Sequence, residues 1–134
     1  MIRIRSGSTS AALALVLAAG FGAGQAVGQG KEPLKIGVPT ATTGTYAGLG
    51  GEAIRAVDFA VQEANAKGGV DGRKVEFKVL DSEAKPDVAR KQAERLALEG
   101  YKILTGTIAS GEGLAMGPML ERWDAIYVST INKS

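Results

Sequence analysis

The chain has 134 residues, 16 of them basic and 14 acidic, and contains neither cysteine nor histidine. Metal sites built on Cys or His, thiol catalysis and Ser–His–Asp triads are therefore excluded. A formal net charge of +2 is too even to argue for a nucleic-acid partner, and none is expected.

Residues 1–28 read as a secretory signal peptide. Arg3 and Arg5 lie in a short polar start, Ala11–Phe21 is an apolar run too short to span a bilayer comfortably, and small residues follow through Gly30. Cleavage after Ala26 and cleavage after Gly28 both satisfy the small-residue rule. An uncleaved membrane anchor is the competing reading, while the lack of a cysteine argues against a lipid anchor. Without Arg3 and Arg5, 14 basic residues face 14 acidic ones, so the remainder is near neutral.

Residues 29–134 form the globular part, and their apolar period alternates. Leu34–Val38 reads as a strand, and Ala41–Gly51 as a loop rich in Gly and Thr. Ala53–Ala66 is a helix with Ile54, Val57, Val61 and Ala64 on one face, and Lys67–Arg73 supplies stop and turn signals. Lys74–Asp81 alternates as a strand does, with Val75, Phe77 and Val79 on one side. Pro86 opens a helix that runs to about Glu99, and Gly100 ends it.

Tyr101–Leu104 is the third strand. After the small residues Thr105–Ala109, Ser110 stands where an N-cap belongs. Met116, Met119, Leu120 and Trp123 then give one helix an apolar face. These residues are core rather than a cofactor box, and no cofactor is expected. Ala125–Ser129 is a fourth strand. Strand–helix repeated three times and closed by a strand implies an α/β fold with a doubly wound parallel sheet. With strand order 2-1-3-4, ligands bind where the order reverses, between the first and third strands.

Three loops meet there: Ala41–Gly50, Thr105–Ser110 and Ser129–Ser134. Backbone N–H groups at the start of the Ser110 helix suit an anion such as a carboxylate. From the residues alone Ser110 is equally an N-cap or a ligand contact. Tyr46 either stacks on a ligand or covers the sheet edge. Asp81, at a strand end without a second acid to pair with, belongs to a turn.

The segment from Lys35 to about Ser129 resembles the type I periplasmic solute-binding proteins, in particular the branch serving branched-chain amino-acid ABC importers. The resemblance rests on Thr43-Gly44, Glu63-Ala64-Asn65 with Gly68-Gly69-Val70 and Gly72-Arg73, and Ser110-Gly111. It implies a binding protein, not an enzyme, that delivers an amino acid, small carboxylate or amide to permease subunits from the periplasm. It further implies that Ser110 binds the ligand carboxylate through its hydroxyl and the adjoining backbone of Ala109 and Gly111. Leu49 then lines the pocket, and Ile131 and Lys133 contribute to an amino-acid clamp. Some relatives carry a disulfide between the positions of Ala84 and Ala109, and both cysteines are replaced here. Position 133 is Lys where a small hydroxyl residue is usual. The family has two lobes, so residues 29–134 correspond to the N-terminal part of the first lobe, with the second absent.

Two other functions compete. Gly48-Leu49-Gly50-Gly51-Glu52-Ala53 fits the dinucleotide pattern G-x-G-x-x-A, as in a nucleotide-binding enzyme. Pro39–Ala47 separates it from the strand, however, and no acid closes the second strand about 20 residues further on. A ligand-sensing receptor domain of the same fold is the other alternative.

Overall fold

The computed structural model describes residues 30–130. Four parallel strands, β1 (Leu34–Thr40), β2 (Val75–Asp81), β3 (Ile103–Thr105) and β4 (Ile126–Val128), form one sheet in the order β2-β1-β3-β4. β1 is the central strand and pairs with β2 along its whole length, from Leu34↔Val75 to Thr40↔Asp81. The expected order holds, and the strand-order reversal falls between β1 and β3.

The helices divide between the two faces, because a right-handed crossover leftward from β1 and one rightward from β2 lie on opposite sides. α1 (Ala47–Ala66) covers one face. α2 (Pro86–Leu98), α3 (Ser110–Met116) and α4 (Leu120–Trp123) cover the other. The main core lies on that second face, where Ala93, Leu96, Leu104, Met116 and Trp123 are buried together. Burial of a Leu or Met side chain stabilises by about 1.5–3 kcal/mol.

Several boundaries differ from the sequence expectation, and each has a local cause. α1 begins at Ala47, not Ala53. The Gly48–Gly51 stretch is thus the first turn of a helix rather than a loop. Gly50 is required there, because a methyl group at its α-carbon would stand 1.7 Å from the Ala41 carbonyl oxygen. The helix after Ser110 is not continuous to Trp123. It ends at Met116, passes through the 3-10 turn Gly117–Met119 and resumes at Leu120. Pro118 cannot donate to the preceding turn and breaks the ladder. Strand β1 extends two residues past Val38, while β3 starts at Ile103 and β4 at Ile126.

The family-like motifs between α1 and β2 are structural. The Asn65 side chain donates to the Val75 carbonyl and accepts from the Val75 N–H, each at 2.8 Å, which seats the end of α1 on the start of β2. Arg73 donates to the carbonyls of Glu32 and Pro33 and so fixes the entry into β1. Gly68 and Gly69 take positive φ beyond the Lys67 cap and turn the chain into the Val70–Arg73 bridge.

Candidate functional site

The carboxyl ends of β1 and β3 carry the loops 41–46 and 106–109. The two loops meet through apolar contact: Ala41, Ala53 and Ile108 form a small buried cluster with Ala84 packed on it. This brings the end of β1, the first turns of α1 and the approach to α3 to one place beside the strand-order reversal.

The first loop is held by Asp81 at the end of β2. One carboxylate oxygen accepts the Thr42 and Glu83 N–H groups, each at 2.9 Å, and the other accepts the Thr43 hydroxyl at 2.6 Å. The Thr43 hydroxyl is the main reason that the Asp81 pKa falls from 3.8 to about 2. Partial burial opposes the shift, and the Glu83 and Thr42 N–H groups assist it. Within the loop, Ala47 N–H donates to Gly44 carbonyl and Gly50 N–H to Tyr46 carbonyl. α1 then starts with no side-chain cap, and the first turn of this 20-residue helix contains no acid to face its positive end.

The second loop is organised by Glu112. Its side chain is fully buried and turns back from α3, and one carboxyl oxygen accepts the N–H groups of Ile108 at 2.9 Å and Ala109 at 2.7 Å. The other oxygen is buried and has no hydrogen-bond partner among the described residues. Gly106 turns the chain out of β3 with φ of +92°, where any side chain would strike Val38. Thr107, fully buried, shares a 2.5 Å hydrogen bond with the Tyr127 hydroxyl and ties this loop to β4.

These contacts place the expected site residues and correct two expectations. Ser110 is not the N-cap. Ala109 holds that position with extended backbone (φ −88°, ψ 138°), and Ser110 is the first helical residue. The N–H of Glu112 is also not available to a ligand, since it donates to the Ala109 carbonyl at 3.0 Å. Ala109, Ser110 and Gly111 are half-buried. Gly111 lies against the Pro86 ring, where a methyl group would come within 3.1 Å of Cγ. Tyr46 and Leu49, both 46% exposed, flank the start of α1, and Leu49 therefore lies on a helix rather than in a loop. Ile131 and Lys133 lie outside the described residues, as does the signal-like stretch 1–28. Asp81 has the turn role expected of it.

Sequence reading missed the ties from Asp81 to Thr42 and Thr43 and from Glu112 to the second loop. The Thr40↔Asp81 register would have shown the first, because it sets Asp81 beside the point where β1 becomes loop. A cavity of about 450 Å³ runs along α1, between Ala53, Val57 and Val61 on the helix and Leu34 and Ile36 on β1; it reaches the site at Thr105 and Gly106 and is almost wholly apolar.

The profile of the periplasmic binding proteins matches residues 33–134. The chain belongs to that family. The family is one of binding proteins, which sets aside the dinucleotide-enzyme alternative. The Leu/Ile/Val-binding protein homolog 2 of Brucella abortus (strain 2308) is 35% identical over 78 residues, which are 58% of this chain and 21% of the relative. The chemotactic signal transduction system substrate-binding protein BasB of Halobacterium salinarum is 33% identical over 88 residues, covering 63% of this chain and 21% of the relative. Among solved structures, a periplasmic binding protein type 1 from Bordetella pertussis Tohama I superposes with a TM-score of 0.64 at 34% identity, covering 71% of this chain and 26% of that one. The chain thus spans about a fifth to a quarter of the length of these relatives.

Proposed function

We propose that this chain is the N-terminal part of the first lobe of an extracytoplasmic solute-binding protein. The complete protein delivers a small amino-acid-like or carboxylate ligand to an ABC importer, with permease subunits as its protein partners. The observation that carries the reading is the junction of the 41–46 and 106–109 loops over the strand-order reversal, through Ala41 and Ile108, in a chain of this family.

In this reading the ligand carboxylate sits at the start of α3. The Ser110 hydroxyl and the backbone of Ala109 and Gly111 contact it, Tyr46 and Leu49 border it from α1, and Ile131 and Lys133 complete the clamp. The correction of the N-cap simplifies the test. A charge-assisted hydrogen bond to a carboxylate contributes about 1.5–3 kcal/mol, so Ser110→Ala in the complete protein weakens L-leucine binding roughly ten- to a hundredfold. Since Ser110 is not the cap, the substitution leaves the melting temperature nearly unchanged. Calorimetric titration beside a melting curve decides it, and retained affinity in the variant would place the anion site elsewhere.

Location follows from the first 28 residues in the same reading: the leader directs export to the periplasm and is removed. Mass spectrometry of the exported protein then finds a mature terminus between Val27 and Lys31, and periplasmic material that begins at Met1 contradicts it. The similarity to BasB supports a second reading, a substrate-binding sensor. Loss of uptake on gene deletion indicates an importer, and loss of taxis with uptake intact indicates a sensor.

A further inference from the structure

The β1–α1 loop carries one proposed ligand contact, Tyr46, and leads directly into a second, Leu49, in the first turn of α1, but it has no strand partner of its own. Its conformation rests on what its first residues touch. Thr42 and Thr43 both bond to Asp81, which stands opposite Thr40 in the β1–β2 register. Lys85 pairs with Glu83, and Asp81 has no ion pair among the described residues, so both of its oxygens serve the backbone and the Thr43 hydroxyl. Downstream, Gly50 rests on Ala41, and the Gly44 and Tyr46 carbonyls receive the first N–H groups of α1. The loop is thereby fixed at both ends, and among the described residues Asp81 is the only side chain of another strand that bonds to it.

We propose that Asp81 is a positioning residue: its carboxylate sets the conformation of the β1–α1 loop, and through it the places of Tyr46 and Leu49, before ligand arrives. The inference rests on the solute-binding reading for its effect on ligand, but not for its effect on the loop. Asp81 touches no proposed ligand atom. It acts by keeping the loop in one conformation, so that little binding energy is spent on ordering it. When a competent conformation is only fractionally populated, the apparent dissociation constant rises by the inverse of that fraction.

The two roles of Asp81 are separable. Its bond to Glu83 N–H shapes the turn after β2, and its bonds to Thr42 and Thr43 hold the loop. Asp81→Asn keeps an acceptor for the N–H groups but replaces the charged acceptor facing the Thr43 hydroxyl with an amide N–H, which leaves at most a weaker, neutral bond in the reverse direction, and Thr43→Val removes that bond from the other side. The experiment uses the complete protein as wild type, each single variant and the double variant. It measures amide hydrogen exchange at Thr42 without ligand, and L-leucine affinity by calorimetry. Thr42 should exchange at least tenfold faster in Asp81→Asn. Affinity should fall about five- to twentyfold in each single variant and no further in the double variant, because both remove one interaction. Unchanged Thr42 exchange overturns the proposal. So does unchanged affinity in variants of a wild type that binds L-leucine. If the wild type does not bind L-leucine, leucine is excluded as its ligand, and the hold of Asp81 on the loop is decided by the exchange rate alone.

Discussion

Two loops meet at the strand-order reversal, and each is pinned by a carboxyl group that accepts two backbone N–H groups on one oxygen. Asp81 does this at the partly exposed end of β2 and adds the Thr43 hydroxyl. Glu112 does it from a fully buried position, with its second oxygen unpartnered among the described residues. An exposed clamp can be released at little cost because water replaces its bonds. A buried clamp cannot, because its freed N–H groups find no new acceptor. The first loop is therefore the adjustable side of the site and the second is the fixed side.

Removing each clamp sharpens this contrast. Glu112→Ala should have the largest effect. It leaves the Ile108 and Ala109 N–H groups without an acceptor and opens a cavity, for about 3–5 kcal/mol in chemical denaturation of the complete protein. Glu112→Gln retains an acceptor oxygen and should lose less than half as much. Equal losses would show that the side chain matters for its charge rather than for its two bonds. Gly50→Ala comes next. Its methyl group collides with the Ala41 carbonyl, and overpacking of this kind costs about 1–3 kcal/mol. The damage should be confined to the first loop, seen as faster amide exchange at Thr42 with the 106–109 loop unchanged.

Acid should separate the two clamps further. The folded-state pKa of Asp81 is lowered to about 2 from 3.8, so its contribution is fully present above pH 4 and is lost as pH falls through about 2. The full shift corresponds to about 2.4 kcal/mol, and solvent screening at this partly exposed site reduces it to about 1 kcal/mol. Melting curves from pH 5 to pH 2 should therefore fall less steeply for Asp81→Asn than for wild type, and identical slopes would remove Asp81 from the acid response. The smallest effect on stability belongs to Ser110→Ala, within about 0.5 kcal/mol, since Ala109 already holds the cap position. A loss near 1 kcal/mol would restore the capping role.

The succession of strands and helices was legible because it follows from apolar period, while the order 2-1-3-4 was a supposition that matches the sheet found. Val75, Ala89, Ala93 and Leu96 are buried as their spacing requires. What failed was decided by tertiary contact. Gly48, Gly50 and Gly51 weigh against helix by propensity, yet α1 runs through them because its first turn must lie on the Ala41 backbone. Ser110 has the chemistry of a cap, but Glu112 reaches back to the loop N–H groups, and the cap position falls on Ala109 with Ser110 as the first helical residue. The break at Pro118 was readable from proline chemistry, and the helical spacing of Met116, Met119 and Trp123 hid it. At the site, Thr43 and Ser110 could be singled out by residue type. Asp81 as a loop anchor needed the register of a strand that lies 41 positions later in the chain.

The Asn65 bond pair sets how this protein ages. Its amide donates to the Val75 carbonyl and accepts from the Val75 N–H, a task that needs a donor and an acceptor on one side chain. Deamidation would turn the donor into a second acceptor aimed at the Val75 carbonyl, so that one atom exchanged for another replaces attraction with repulsion where α1 meets β2. The seat of α1 on β2 thus depends on the chemical integrity of a single amide, away from the loops at the strand-order reversal.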